Sequence, residues 1–275
     1  MTCNGLMLMV ATWLLSGSAY AEDSSLLLRY FFEPESTQRV NVSAESQISL
    51  GGVTLSEGRG QVMLMSPTSD LGDGTSLIYQ ISRQTLRLNG EGVSVAFDTD
   101  NIETATTRDR LSQLSESVGQ TFHRIVDDRG QIIFRYDEGV ASSMVEMSLL
   151  AMPIFPEERL AIGESWEALS AVEINSNDQL SIWRRYSLVS VIDGMAVATY
   201  DVGTTAFDSE SVAGIERTSL DSGHEQHVVS LAGTGRFMFD LQRGLLVNLS
   251  ESTQLEGTLN GLPLSVSTDW EVVIE

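Results

Sequence analysis

The stretch "RVNVSAESQISL", residues 39–50, decides the fold class. Val40, Val42, Ala44, Ile48 and Leu50 fall on alternate positions with polar residues between them. Successive side chains of a strand point to opposite faces, so this is the period of a half-buried strand with one wet and one dry side.

The same pattern spreads outward in both directions. "LRLNGEGVSVAF" (86–97) predicts a hairpin: Leu86 and Leu88 precede an Asn89-Gly90-Glu91-Gly92 loop, and Val93, Val95 and Phe97 alternate after it. "QLSIWRRYSLVSVIDGMAVATYDV" (179–202) predicts two strands about Asp193-Gly194, a strong short-range hairpin signal. "GRFMFDLQRGLLVNLS" (235–250) predicts a turn at Gln242-Arg243-Gly244. "LNGLPLSVSTDWEVVIE" (259–275) predicts a turn at Asn260-Gly261 and a last strand through Trp270, Val272 and Ile274.

Two short helices interrupt the strands in this reading. Leu111, Leu114 and Val118 share a face over 103–118, with Gly119 as a stop. Val140, Met144 and Met147 have helical spacing over 139–150, which Pro153 ends. The methionines serve as core filling or as the wall of an adaptable apolar pocket. The expected fold is therefore mainly β (α+β): two curved antiparallel β-sheet halves, 22–152 and 153–275, each crossed by a short helix. "GQTFHRIVDDRGQIIFRY" (119–136) and "GRFMFDLQRGLLVNL" (235–249) share Gly, Phe, Asp and Arg-Gly in order. That echo fits either an internal duplication or two ordinary hairpins.

The chain opens with an uncharged run, "LMLMVATWLL" (6–15), followed by "SGSAYAED" with Ala19 and Ala21 bracketing Tyr20. This is a signal-peptide pattern, residues 1–21, with cleavage expected after Ala21 and a periplasmic or secreted destination. A spanning helix needs about 20 apolar residues, more than this run supplies. Cys3, the single cysteine, lies before it, so the mature chain is expected to carry no disulfide.

Charge limits the partners. There are 38 acidic residues against 16 basic ones, all arginine, for a net charge of −22. Such a surface repels nucleic-acid backbones and anionic lipid headgroups. Its acids are scattered along the chain, which reads as a solubilising surface.

Candidate chemistry is sparse. In "LAIGESWEAL" (160–169), Gly163-Glu164-Ser165-Trp166-Glu167 falls one glycine short of a nucleophile elbow, and the strand-then-helix context of that elbow is missing. His224 and His227 in "HEQH" stand three residues apart, one short of the zinc-helix spacing, with no third ligand evident. His123 is isolated between Phe122 and Arg124 in a predicted strand. Catalytic residues stay unassigned, and no cofactor or metal is expected.

"MPIFPEERLAIGESWE", the "YSLVSVIDGMAVATY" strand pair and "GTGRFMFDLQRGLL" together resemble a family of uncharacterised bacterial exported proteins classed as a domain of unknown function. In that family a proline linker leads to a Gly-[Asp/Glu]-[Ser/Thr]-Trp strand start, and a Gly-x-Gly strand precedes an Asp-containing turn. The match covers about residues 120–275. It implies an exported antiparallel β architecture, with Gly163 to Trp166 as a strand start, and it carries no catalytic residues. The expected function is that of an exported non-catalytic protein binding an apolar ligand or an envelope protein. A hydrolase using Ser165 or the His224/His227 pair, and a structural module without ligand, are the alternatives.

Overall fold

A computed structural model describes residues 25–70, 72, 74–101, 116–137, 152–175, 178–204 and 226–275. It contains β1 (Gln38–Leu50), β2 (Val53–Asp70), β3 (Thr75–Gly90), β4 (Val93–Asp98), β5 (Thr121–Val126) and β6 (Ile132–Asp137). β7 (Ser165–Asn175), β8 (Asp178–Ile192), β9 (Met195–Thr204), β10 (Gln226–Asp240), β11 (Leu245–Leu259) and β12 (Leu262–Ile274) follow. All twelve lie in one antiparallel sheet in the order β6-β5-β3-β2-β1-β12-β11-β10-β9-β8-β7, with β4 hanging from β3.

The alternation that predicts strands holds: Val40, Val42 and Ala44 are buried on one face of β1. Hairpin chemistry holds as well. Asp193-Gly194 and Asn260-Gly261 turn with both residues at positive φ (52° and 79°; 51° and 75°), the conformation whose twist matches antiparallel strands.

One expectation is corrected, one lies mostly outside the described residues, and the duplication reading finds no support. The two halves are not separate sheets, because β1 pairs with β12 along its length, Val42 opposite Val272 and Ile48 opposite Val266. Period-two alternation names a strand's faces but not its neighbours, so this join is not written in either segment. Of the 103–118 helix, the described part is a helical pair at 116–117 and a turn at 118–119; residues 102–115 and the whole 139–150 helix lie outside the described residues. The echoed segments are hairpins in non-corresponding places, β5–β6 at a sheet edge and β10–β11 inside the other wing.

What the echo shares is a task. Asp127 Oδ1 accepts hydrogen bonds from the amides of Arg129 and Gln131, and Asp240 Oδ1 from those of Gln242 and Arg243. Each Asp fixes a turn, and each turn then holds the N-terminal arm: Tyr30 N donates to Asp128 O at 2.6 Å and Phe31 N to Gly244 O at 2.8 Å. Gly130 (φ 91°) and Gly244 (φ 64°) let the turns approach, because a Cβ on either would collide with Tyr30 or Phe31.

The sheet is strongly curled, and a short segment proves it. Tyr79 on β3 donates its hydroxyl to Met152 Sδ, while Phe155 packs on Trp166 of β7 and Phe237 of β10. Three residues reach about 11 Å at most. β3 and β7 are eight places apart in the strand order, about 38 Å if the sheet were flat. The concave face therefore closes around the arm and the 152–160 linker, which pair with each other through Leu26 and Leu160. Leu28, Tyr30, Phe32 and Phe155 fill the floor of the concavity, in one core cluster with residues of both wings.

Candidate functional site

The registers resolve the concave face into rows. Directly opposed residues share a face, so each inward residue of β1 heads a row running across the sheet. The floor row contains Gln84, Gln61, Val42, Val272, Leu249, Phe237, Ala198 and Leu188. It is apolar apart from its two glutamines. The next row contains Arg59, Ala44, Trp270, Glu251, Gly235, Tyr200 and Tyr186, and the one above it Glu57, Ser46, Thr268, Thr253, Gly233, Val202 and Arg184. These two rows form a polar belt.

Above the belt the rows turn aliphatic: Leu55, Ile48, Val266, Leu255 and Leu231, then Val53, Leu50 and Leu264. None of these except Leu231 belongs to the core clusters among the described residues. Val53 at 59 % and Leu262 at 49 % are openly exposed. The arm and linker lie at the floor, and among the described residues the other rim side chains are half-buried. A second small cluster, Leu86 and Phe97 with Leu88 and Val95, continues the apolar surface onto the β3–β4 hairpin.

The belt contains a closed polar network. Glu251 Oε2 accepts from Arg184 Nε at 3.2 Å and from the Tyr200 hydroxyl at 2.9 Å, and Oε1 accepts from Trp270 Nε1 at 3.0 Å. Arg184 also reaches Ser170 Oγ at 3.5 Å. Both charged side chains are almost fully buried, at 7 % and 4 % exposure. Tyr200 attains its position because its ring lies over Gly235, where any Cβ would overlap it.

Burial pulls the Arg184 guanidinium down, but the Glu251 carboxylate together with the Tyr186 and Tyr200 phenols outweighs that and holds it above its ordinary value. Burial pushes Tyr200 far above the phenol range, with Glu251 adding to the effect. Burial also raises Tyr186, to about 12. On the other wing Glu57 pairs with Arg59, and Ser46 Oγ and Thr268 Oγ1 share a hydrogen bond of 2.9 Å.

The convex face of β1 and β12 is largely polar, although Leu64 of β2 and Leu169 of β7 are exposed apolar residues. Asn41, Ser43, Glu45, Ser267, Asp269 and Glu271 point outward from β1 and β12. No helix among the described residues is long and apolar enough to cross a membrane.

Of the residues singled out by sequence, Ser165 and His123 stand apart from the belt. Ser165 is exposed at the start of edge strand β7, its Oγ 2.7 Å from Ser187 Oγ. A nucleophilic serine requires a base within hydrogen-bond reach, and this partner is another hydroxyl. His123 lies half-buried on β5, on the face opposite buried Phe122 and Arg124. The backbone of His227 lies in β10 opposite Thr258, and His224 is outside the described residues. Among the described residues no group of three His, Cys, Asp or Glu is placed to hold a metal.

Sequence reasoning missed the belt. The available signal was parity: Arg184 shares its face with Ile182, Tyr186 and Leu188, and Glu251 shares its face with Leu249 and Leu255. A charge on the apolar side of a strand is inward unless the strand is irregular.

The chain matches no protein-family model and no curated protein sequence. Among solved structures it is similar to lipovitellin, in a study of that protein's lipid–protein interactions, with a TM-score of 0.53 and 7% identity over 89% of this chain. The chain spans only 25% of lipovitellin's length. An outer-membrane channel from Pseudomonas putida F1 aligns with a TM-score of 0.29 and 9% identity, covering 92% of this chain and 98% of the channel. At such identities the lipovitellin likeness is one of fold.

Proposed function

We propose that this protein is an exported, non-catalytic binder of an apolar ligand, held against the aliphatic rim of the concave face. The observation that carries the reading is the rim itself. Rows of leucine, isoleucine and valine continue above the belt on the inner face, half-buried to exposed and, Leu231 apart, outside the core clusters of the described residues. Apolar area left in water costs about 25 cal/mol per Å², so a ligand that covers it is stabilised in proportion. The fold neighbour lipovitellin, described for its lipid–protein interactions, agrees with this reading. Export rests on the leader pattern of residues 1–21, with cleavage after Ala21, and on the resemblance over residues 120–275.

The test uses the mature protein, residues 22–275. Native mass spectrometry followed by solvent extraction is expected to yield a co-purified apolar compound. Val266→Asp places a charge on the rim, whereas Ser267→Asp places one on the convex face a residue away. Loss of the compound from the first variant and retention in the second supports the reading. A compound absent from the parent protein, or equally retained by both variants, refutes it.

A further inference from the structure

The belt beneath the rim narrows the kind of ligand. We infer that the rim takes an uncharged lipid, a long acyl chain bearing only hydroxyl or ester oxygens, in preference to an ionised fatty acid or acidic lipid. This rests on the reading of the rim as a ligand site and adds the chemistry of the polar end.

Three observations support it. First, the charges of the belt are paired with each other: the buried Arg184 with Glu251, and the partly exposed Arg59 with Glu57. Both Glu251 oxygens are taken, by Arg184 and Tyr200 on one side and Trp270 on the other. A carboxylate entering here would have to displace Glu251 from a guanidinium that is otherwise desolvated. Breaking such a buried pair is strongly unfavourable.

Second, the row that faces the rim offers neutral hydrogen-bonding groups. Ser46 and Thr268 pair across β1 and β12 at 2.9 Å, with Thr253 next in the row on β11. A hydroxyl both donates and accepts, so this row can meet an alcohol or an ester carbonyl without moving a charge. From Thr268 to Leu262 the strand runs six residues, about 20 Å of mostly apolar wall, room for a long chain lying above that row.

Third, the whole molecule carries a net charge of −22. Its field opposes an approaching anion over roughly a Debye length, about 10 Å at 0.1 M salt, and leaves a neutral ligand unaffected. The preference is therefore both local and long-range, and only the second part yields to salt.

The experiment titrates delipidated mature protein with 1-monooleoylglycerol and with oleate at pH 8, each below its aggregation threshold, at 20 mM and 500 mM salt. Binding is read by displacement of a fluorescent apolar dye. The expected result is monooleoylglycerol binding at least ten-fold tighter than oleate at low salt. Oleate affinity should rise with salt while that of monooleoylglycerol stays level, and Val266→Asp should weaken both. Oleate binding as tight as or tighter than monooleoylglycerol at low salt overturns the inference but leaves the apolar-binder reading standing. Binding of neither probe removes both.

Discussion

Replacing Glu251 with alanine should cost far more than the loss of one side chain. The carboxylate is the counter-charge for Arg184, and the two are 4 % and 7 % exposed. Removing one member of a buried pair leaves an uncompensated charge, at about 3–5 kcal/mol. Trp270 Nε1 and the Tyr200 hydroxyl lose their acceptor at the same time. For a chain of this size each kcal/mol lowers Tm by about 2–4 °C, so a fall of about 6–20 °C is expected. Glu251→Gln keeps an acceptor for Trp270 and Tyr200 but removes the charge, and should recover only a minor part of the loss. The double variant Arg184→Met, Glu251→Leu removes both charges and should be more stable than Glu251→Ala alone. Urea unfolding of the parent protein, Arg184→Met, Glu251→Leu and the double variant completes a double-mutant cycle. A single-variant cost below about 1 kcal/mol, or a double variant as costly as the sum of the singles, would refute the buried-pair argument.

Two further outcomes are expected. Gly130→Ala should loosen the N-terminal arm, because the new Cβ would sit 2.5 Å from the Tyr30 ring and 2.6 Å from Pro153 O at φ 91°. Gly92→Ala, at φ 72° with open space around it, suffers only local backbone strain of about 1–2 kcal/mol. Limited proteolysis should therefore cut within residues 25–33 in the first variant and not in the second; equal cutting would show that the turn does not hold the arm. Alkaline unfolding supplies the other test. Burial holds the phenols of Tyr30, Tyr79, Tyr186 and Tyr200 above the ordinary 10.0. A group with a raised folded value contributes nothing unfavourable below its unfolded pKa, and its protonated native form loses ground as pH rises from there. Stability should hold to about pH 10 and then fall, with Tyr186 alone weakening the fold by roughly 3 kcal/mol by about pH 12. Phenolate absorbance and far-ultraviolet dichroism should change together. Tyrosines that titrate near 10 while the sheet stays intact would contradict their burial.

Alternation in "RVNVSAESQISL" was enough to make β1 a strand with one dry face, and Asp193-Gly194 and Asn260-Gly261 were enough to make hairpins, since those residues tolerate the positive φ such turns require. Local chemistry decides these features, because a side chain's face and a turn's dihedrals depend on residues within a few positions. The echo of Asp and Arg-Gly was also visible, but its meaning was not: two remote turns grip one arm, and only the packed chain brings 30 and 31 between 128 and 244. Arg184 and Glu251 stood on the apolar parity of their strands, yet they are 67 residues apart, and nothing local says that they meet. The join of β1 to β12, the curl that closes both wings on Phe155, and the rim left above the belt are likewise long-range choices. A strand's sequence specifies which residues face inward; which strands become neighbours, and how far the filling arm reaches, are settled by the total burial that the whole sheet achieves at once.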